Sequence, residues 1–251
     1  MTVLRLALIA LLVLVLTPLV NLVLTVPVAD LVKTIAAPES SDAARTSLFA
    51  SMIAVGGATI LGVPAGYVLA RTSGGWRIAM LTAFSVPLAL PPVASGVVLL
   101  GLLSSGQPVG AFLSAHGWRI VDTLLGVAVA EFFVAGSIVV IAATAAFSGV
   151  ERRLEEAART LGAGPLRVLF TVALPLAAPG IAAGVLLAWL RAIGEYGATS
   201  LVAYHPTSLP IFVVIALSAD GVPHALALSE ALAAMTVLTI VVASLAGRRT
   251  A

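Results

Sequence analysis

Residues 124–147 read LLGVAVAEFFVAGSIVVIAATAAF, a run of 24 residues in which Glu131 is the only charged side chain. A helix of this length rises about 36 Å at about 1.5 Å per residue, which is enough to cross the roughly 30 Å hydrocarbon core of a bilayer. The run is also too uniformly apolar for the one-sided stripe of a soluble helix. It therefore predicts a membrane-spanning helix.

The rest of the chain has the same character. Hydrophobic residues make up 61% of the sequence and charged residues 10%, whereas about a quarter of the residues in a soluble domain are charged. We therefore expect an all-α protein with a single transmembrane domain over residues 1–251. Its six predicted spans lie near residues 6–28, 48–70, 78–103, 124–147, 178–203 and 225–246.

The basic residues predict the orientation of these spans. With the N-terminus inside, nine of the 13 Lys and Arg residues fall in cytoplasmic segments, and only Lys33, Arg45 and Arg119 fall in outer ones. This asymmetry follows the positive-inside rule, so both termini are expected in the cytoplasm. The first helix is expected to be retained, because its 23 residues exceed the apolar core of a usual signal peptide. The cytoplasmic set is Arg5, Arg71, Arg77, Arg152, Arg153, Arg159, Arg167, Arg248 and Arg249.

Several classes of site are disfavoured by what the sequence lacks. There is no cysteine, and the three histidines are far apart in the sequence, so no metal motif is predicted. No basic stripe is interleaved with aromatic residues, which argues against nucleic acid as a partner. No cluster of acid, base and nucleophile is present either, so we expect no catalytic residues and no cofactor in this chain.

The most informative polar segment is the loop between the fourth and fifth spans, residues 148–177. Ser148-Gly149-Val150-Glu151 has the spacing of a capping box that starts a helix. Glu155 and Arg159 are four residues apart and are expected to pair on that helix. Gly162 is expected to end it with a left-handed residue, and a second short helix is expected to begin at Pro165.

A longer pattern runs through the same loop. Glu156-Ala157-Ala158 is followed after three residues by Gly162 and after nine more by Val172-Ala173-Leu174-Pro175. This resembles the EAA loop of ATP-binding-cassette (ABC) importer permeases, E-A-A-x3-G-x9-I-x-L-P, with Val172 in place of the usual Ile. The resemblance implies that this loop forms a coupling helix that docks into an ATP-binding subunit. The coupling residues it implies are Glu156, Ala157, Ala158, Gly162, Val172, Leu174 and Pro175.

Two further stretches extend the resemblance to roughly residues 48–246. Residues 86–96, VPLALPPVASG, and residues 191–199, RAIGEYGAT, resemble the molybdate/tungstate and sulfate branch of these permeases. The double proline favours molybdate or tungstate. Sulfate or thiosulfate stays open as an alternative, because sulfate permeases carry a similar R-x-x-G-E-F-G-A segment, here with Tyr196 for Phe.

The resemblance also implies partners. A type I ABC importer permease works in the cytoplasmic membrane as a pair of copies, with two ATP-binding subunits and an extracytoplasmic substrate-binding protein. ATP and Mg would be bound by the partner subunits, since this chain has no phosphate-binding P-loop and its only lysine is Lys33 on the predicted outer side.

Five residues are candidates for a transport pathway or an intramembrane network. Pro91 and Pro92 predict a broken third helix, which would be either a packing kink or a lining of the pathway. Glu131, Arg191 and Glu195 are predicted inside the membrane, where ionisable groups are costly and usually paired. Arg191 is expected within reach of both carboxylates, and a structural role is favoured over contact with the transported anion.

The same carboxylates keep a different class of function open. An ion-coupled secondary transporter would use intramembrane Glu131 and Glu195. That alternative leaves the spacing of the EAA pattern unexplained.

Overall fold

The computed structural model describes the backbone of residues 2–248, and the side chains in that range except those of residues 2, 3, 243, 244 and 246–248. Every regular element in residues 2–248 is helical, which confirms the predicted all-α fold. Arg249 and the side chain of Arg248, both part of the predicted cytoplasmic basic set, lie outside the described residues.

The elements follow one another with short connections. In chain order they are α1 (Thr2–Thr25), α2 (Val28–Ala36), α3 (Pro38–Arg71), α4 (Gly75–Ala89), α5 (Pro92–Leu103), α6 (Pro108–Ala115), α7 (Leu124–Ser148), α8 (Arg152–Thr160), α9 (Pro165–Val168), a π-helical segment (Leu169–Ala173), α10 (Leu174–Ile193), α11 (Thr199–Val202), α12 (Leu209–Ala219) and α13 (Val222–Arg248).

The predicted spans are present, with one of them broken. Five stretches are long and apolar enough to cross a membrane: Leu4–Thr25, Pro38–Arg71, Leu124–Ser148, Pro165–Ile193 and Val222–Val242. The pair α4 and α5 is bent by 109° and makes a sixth span if it crosses as one. Its break falls at Leu90 and Pro91, as the double proline predicts.

The fifth span differs most from its predicted bounds, 178–203. It starts earlier, at Pro165, and its helix ends at Ile193 with Gly194 as C-cap. The chain then turns, because the Glu195 carboxylate accepts a hydrogen bond from the backbone N–H of Ala198 at 2.8 Å. Hydropathy continues across this turn, so apolar length alone misplaces the helix end. Glu195 therefore lies beyond the fifth helix rather than inside it.

The chain forms two compact units, and one of them comprises Met1–Ala44 and Leu209–Ala251. In this unit α2 and α12 both pack on α13. A small core consists of Ala43, Leu209, Ala216 and Leu228. The apolar residues of Leu4–Thr25 are not buried within the chain, as expected for a helix whose side chains face lipid.

The other unit, Arg45–Ser208, is built around α7. More than half of the apolar window of α7 is buried, and its buried face packs on α3 and α10. One core cluster joins Ala143 and Phe147 of α7 to Ala177 of α10. A second joins Ala135 and Val139 of α7 to Val55 and Ala58 of α3 and to Ala188 of α10.

Small residues let these helices approach closely. A Cβ atom added to Gly66 of α3 would lie 2.5 Å from the Cβ of Ala143 and 2.9 Å from the backbone nitrogen of Thr144. A Cβ added to Gly184 of α10 would lie 2.2 Å from the Cβ of Ala142. Such contacts are the usual basis of helix association in lipid, where no hydrophobic driving force acts between helices.

We predict that Gly66→Ala destabilises the folded protein, because its methyl group meets backbone atoms of α7 that cannot move independently. Overpacking of this kind costs about 1–3 kcal/mol. The melting temperature of the detergent-solubilised protein measures this loss of stability. The matched control is Gly56→Ala on the same helix, where an added Cβ meets nothing within 4 Å of the chain. An equal melting temperature for the two variants would contradict the packing argument.

Candidate functional site

The helix predicted in the loop between the fourth and fifth spans is present as α8, but it starts differently from the prediction. α7 continues through Ser148, whose hydroxyl accepts a hydrogen bond from Nη2 of Arg77 at 3.3 Å. The N-cap of α8 is Glu151, and its side chain makes no capping hydrogen bond. The predicted capping box is therefore wrong, because the apolar pattern of α7 carries that helix on through Ser148.

The end of α8 confirms the prediction made from Gly162. Its φ angle is +88°, in the left-handed region that favours glycine. Two backbone hydrogen bonds close the turn, from Gly162 N to Arg159 O at 2.9 Å and from Ala163 N to Ala158 O at 3.0 Å. The second short helix, α9, begins at Pro165 as predicted.

The last part of the EAA pattern lies where α9 continues into α10. Val172 is in the π-helical segment, and Leu174 and Pro175 open α10. Val172 and Leu174 are half-buried and Pro175 is exposed. Since α8 contacts both α9 and the π-helical segment, the two ends of the pattern are neighbours at the base of the fifth span.

One face of this loop is open. Glu156 and Ala157 are exposed and Ala158 is half-buried. Next to them in sequence, Leu161 is 89% exposed and Leu166 is 71% exposed. Together with Leu154, these residues form what we call the exposed loop surface. The leucines were not predicted as site residues, because single leucines in a polar loop carry no signal of their own.

The opposite face of α8 carries Glu155, which is 3% exposed. Its Oε1 accepts a hydrogen bond from Nε of Arg71 at 3.0 Å and a second one from the same guanidinium. Its Oε2 accepts one from the hydroxyl of Tyr67 at 3.0 Å. Arg159 lies 3.7 Å from Oε2, so the expected pairing on α8 is present. Sequence reasoning missed Tyr67 and Arg71, which lie more than 80 residues away.

The two stretches that resemble the oxyanion branch meet each other. A Cβ added to Gly197 would lie 2.6 Å from the Cβ of Pro92 and 2.9 Å from the nitrogen of Val93. A Cβ on Gly96 would lie 3.0 Å from the Cα of Ala198. The break at Pro91 and Pro92 is thus covered closely by the turn that follows α10.

Of the three ionisable residues predicted inside the membrane, two form an ion pair. Arg191, in the last turn of α10, pairs with Glu195, whose side chain is almost fully buried. Glu131 of α7 is also buried, and its carboxyl lies close to Ser51 and Glu195. Among the ion pairs of the described residues, none joins Glu131 to Arg191. The expected pairing of Arg191 is therefore present for Glu195.

The sequence is similar to those of known transport proteins. Residues 62–249 match the model of a family described as binding-protein-dependent transport system inner membrane component. A probable molybdenum ABC transporter permease of Haloferax volcanii is 41% identical over 73% of this chain and 66% of its own length. The molybdate/tungstate transport system permease WtpB of Pyrococcus abyssi is 35% identical over 73% of this chain and 69% of its own. The chain thus spans about two thirds of each relative.

A solved structure shows the same fold. The structure of a bacterial alginate ABC transporter, in complex with an alginate pentasaccharide-bound periplasmic protein, contains a chain that superimposes with a TM-score of 0.74. The match covers 99% of this chain and 93% of that one at 19% identity. With the family match over residues 62–249, these findings show that the chain belongs to the binding-protein-dependent inner membrane transport components and is a permease subunit of an ABC importer.

Proposed function

We propose that this permease imports molybdate or tungstate by alternating access, driven by two separate ATP-binding subunits. Two copies of the chain would enclose the pathway, and an extracytoplasmic binding protein would deliver the anion. The chain itself would not be catalytic, since ATP and Mg would be held by the partner subunits. Closure of those subunits would move α8 and shift the spans between inward-open and outward-open states.

The observation that carries the docking part of this proposal is the exposure of apolar side chains in the loop around α8. Glu156 and Ala157 of α8 are exposed, and Leu161 and Leu166, which follow α8 in the same loop, are exposed as well. An exposed apolar patch on a polar segment marks a surface that another molecule covers. Small residues there allow a helix to enter a cleft closely.

The substrate in this proposal is supported by the similar proteins. Those with 41% and 35% identity are a probable molybdenum permease and a molybdate/tungstate permease. Residues 86–96 and 191–199, which resemble the same branch, also pack on each other at Pro92 and Gly197. Sulfate remains the alternative cargo.

For the intramembrane residues we propose that Arg191 is structural. Two carboxylates beside an anion pathway would repel the cargo, and Arg191 neutralises one of them through its pair with Glu195. Glu195 in turn holds the backbone of Ala198, which keeps the turn in place over the break at Pro92. In this arrangement Arg191 stabilises the turn rather than contacting substrate.

We predict that Ala158→Asp abolishes transport and the stimulation of ATP hydrolysis while the protein still inserts. An unpaired charge in a tight cleft costs at least about 3 kcal/mol, which corresponds to a more than hundredfold loss of association. Uptake and ATP hydrolysis by the reconstituted complex measure this. Ala158→Ser is the matched control, because it adds one small uncharged atom and should keep coupling. Normal coupling in Ala158→Asp would refute docking through this helix.

We predict that molybdate or tungstate, added with the binding protein, raises the ATPase rate of the reconstituted complex several-fold. Binding-protein dependence follows from the family, and the identity of the anion follows from the relatives. Sulfate is tested in parallel and decides between the two oxyanion alternatives. A response to sugars or amino acids, with none to any oxyanion, would rule the substrate class out.

We predict that Arg191→Gln lowers the amount of folded complex more than Glu195→Gln does. Loss of the arginine strands a buried carboxylate, whereas a glutamine at position 195 can still accept the Ala198 N–H. The expected loss of stability is about 1 kcal/mol or more, less than for a fully buried pair because the Arg191 side chain is 35% exposed. Arg191→Lys, which keeps the charge, is the control.

Yield and thermal stability in detergent measure the difference between these variants. If Arg191→Gln assembles at normal levels and loses only transport, Arg191 belongs to the pathway and not to the turn.

A further inference from the structure

Glu155 is unusual for its surroundings. It is the only buried residue of α8, while the residues on either side of it, Leu154 and Glu156, are exposed. A buried carboxylate is stable only when charge and hydrogen bonds compensate its lost hydration. Its partners therefore indicate what α8 is fastened to.

Those partners come from the last turns of α3. Both carboxylate oxygens of Glu155 are used, one by the guanidinium of Arg71 and the other by the hydroxyl of Tyr67. The guanidinium of Arg71 lies 5.6 Å from the centre of the Tyr67 ring, and that ring packs edge-on against Phe147 of α7. Charge-assisted hydrogen bonds of this kind are about twice as strong as neutral ones.

A second set of hydrogen bonds is donated by α8 to α3. Nη2 of Arg152, at the start of α8, donates to the carbonyl oxygens of Ala70 and Arg71 at 3.4 and 3.3 Å. These carbonyls belong to the end of α3, where helical partners are missing. Arg71 also donates to the carbonyl of Val150, just before α8, at 3.4 Å. Each helix thus contributes an arginine to the other.

These hydrogen bonds between α3 and α8 matter because the two helices are not consecutive in the chain. Through the backbone, α8 is joined only to α7 on one side and to α9 and α10 on the other. α3 precedes α8 by more than 80 residues of sequence, and these side chains join the two helices directly. Further along α3, Gly66 packs directly on α7. A displacement at the end of α3 is therefore passed on to α7, because no gap between the helices can absorb it.

We propose that Tyr67 and Arg71 are positioning residues which, through Glu155, fasten the coupling helix to α3 and make α3 the element that receives its movement. This rests on the proposed docking of α8 to an ATP-binding subunit. The clamp formed by Tyr67, Arg71 and Glu155 does not touch ATP or substrate. It transmits force from the exposed loop surface to a span that lies more than 80 residues earlier in the chain.

The test compares transport with ATP hydrolysis in the same reconstituted complex. Arg71→Gln and Glu155→Gln should each still bind the ATP-binding subunit, but the anion moved per ATP hydrolysed should fall about tenfold. The double variant should lose no more than either single one, because the two residues act as one contact. Arg71→Lys, which keeps the charge but loses the two-pronged geometry, should recover part of the loss.

Arg77→Gln is the matched control. It removes the same charge from the first turn of α4, but Arg77 hydrogen-bonds to Ser148 at the end of α7. Its transport per ATP should stay at the wild-type value. Tyr67→Phe keeps the ring packing and removes only the hydroxyl, so it should assemble normally and lose coupling about threefold.

The outcomes separate the two proposals. If the wild-type chain does not bind an ATP-binding subunit at all, the proposed function fails. If binding is normal and transport per ATP is unchanged in Arg71→Gln, the clamp proposal is overturned. Should the Arg71 and Glu155 variants fail to insert, Tyr67→Phe decides, and unchanged coupling in that variant overturns the clamp proposal as well.

Discussion

The close contact of α7 with α3 and α10 is the constraint on which the Arg45–Ser208 unit depends. In lipid, apolar side chains gain nothing by leaving one hydrocarbon surface for another, so helices associate through close van der Waals packing. Gly66 and Gly184 allow this packing, because a Cβ atom at either position would collide with an alanine side chain of α7. Because α7 is fixed in this way, Glu131 on its buried side and the start of the EAA loop at its end are fixed too.

The irregular segments depend on the same principle in another form. Backbone groups freed by a helix break cannot be left facing lipid, and they persist at membrane depth only where protein covers them. The break at Pro91 and Pro92 is covered by Gly197, which permits backbone contact there. The turn that carries Gly197 is held by the Glu195 carboxylate. A charged pair and a double proline, far apart in sequence, therefore form one local structure.

The sequence predicted whatever depends on local pattern. Apolar length was enough to find the spans, the double proline located the break, and Gly162 located the end of α8. Contacts between distant segments were not predictable in this way. Nothing in the residues around Glu155 indicates that Arg71 reaches it, and nothing in hydropathy indicates that Gly194 ends α10. The capping-box prediction was wrong for a related reason. Ser148 could either cap α8 or continue α7, and the long apolar helix α7 extends through it.

Two neighbouring glutamates in α8 show why the distinction matters for function. Glu156 belongs to the EAA pattern and is exposed, whereas Glu155 lies outside the pattern and is buried against α3. Residues one position apart on a helix point about 100° apart, so one helix can offer one carboxylate to a partner and the other to its own bundle. A sequence motif that describes docking contains only the exposed carboxylate, that of Glu156. The second, held by Arg71 and Tyr67, is the one that decides which span moves when the partner does.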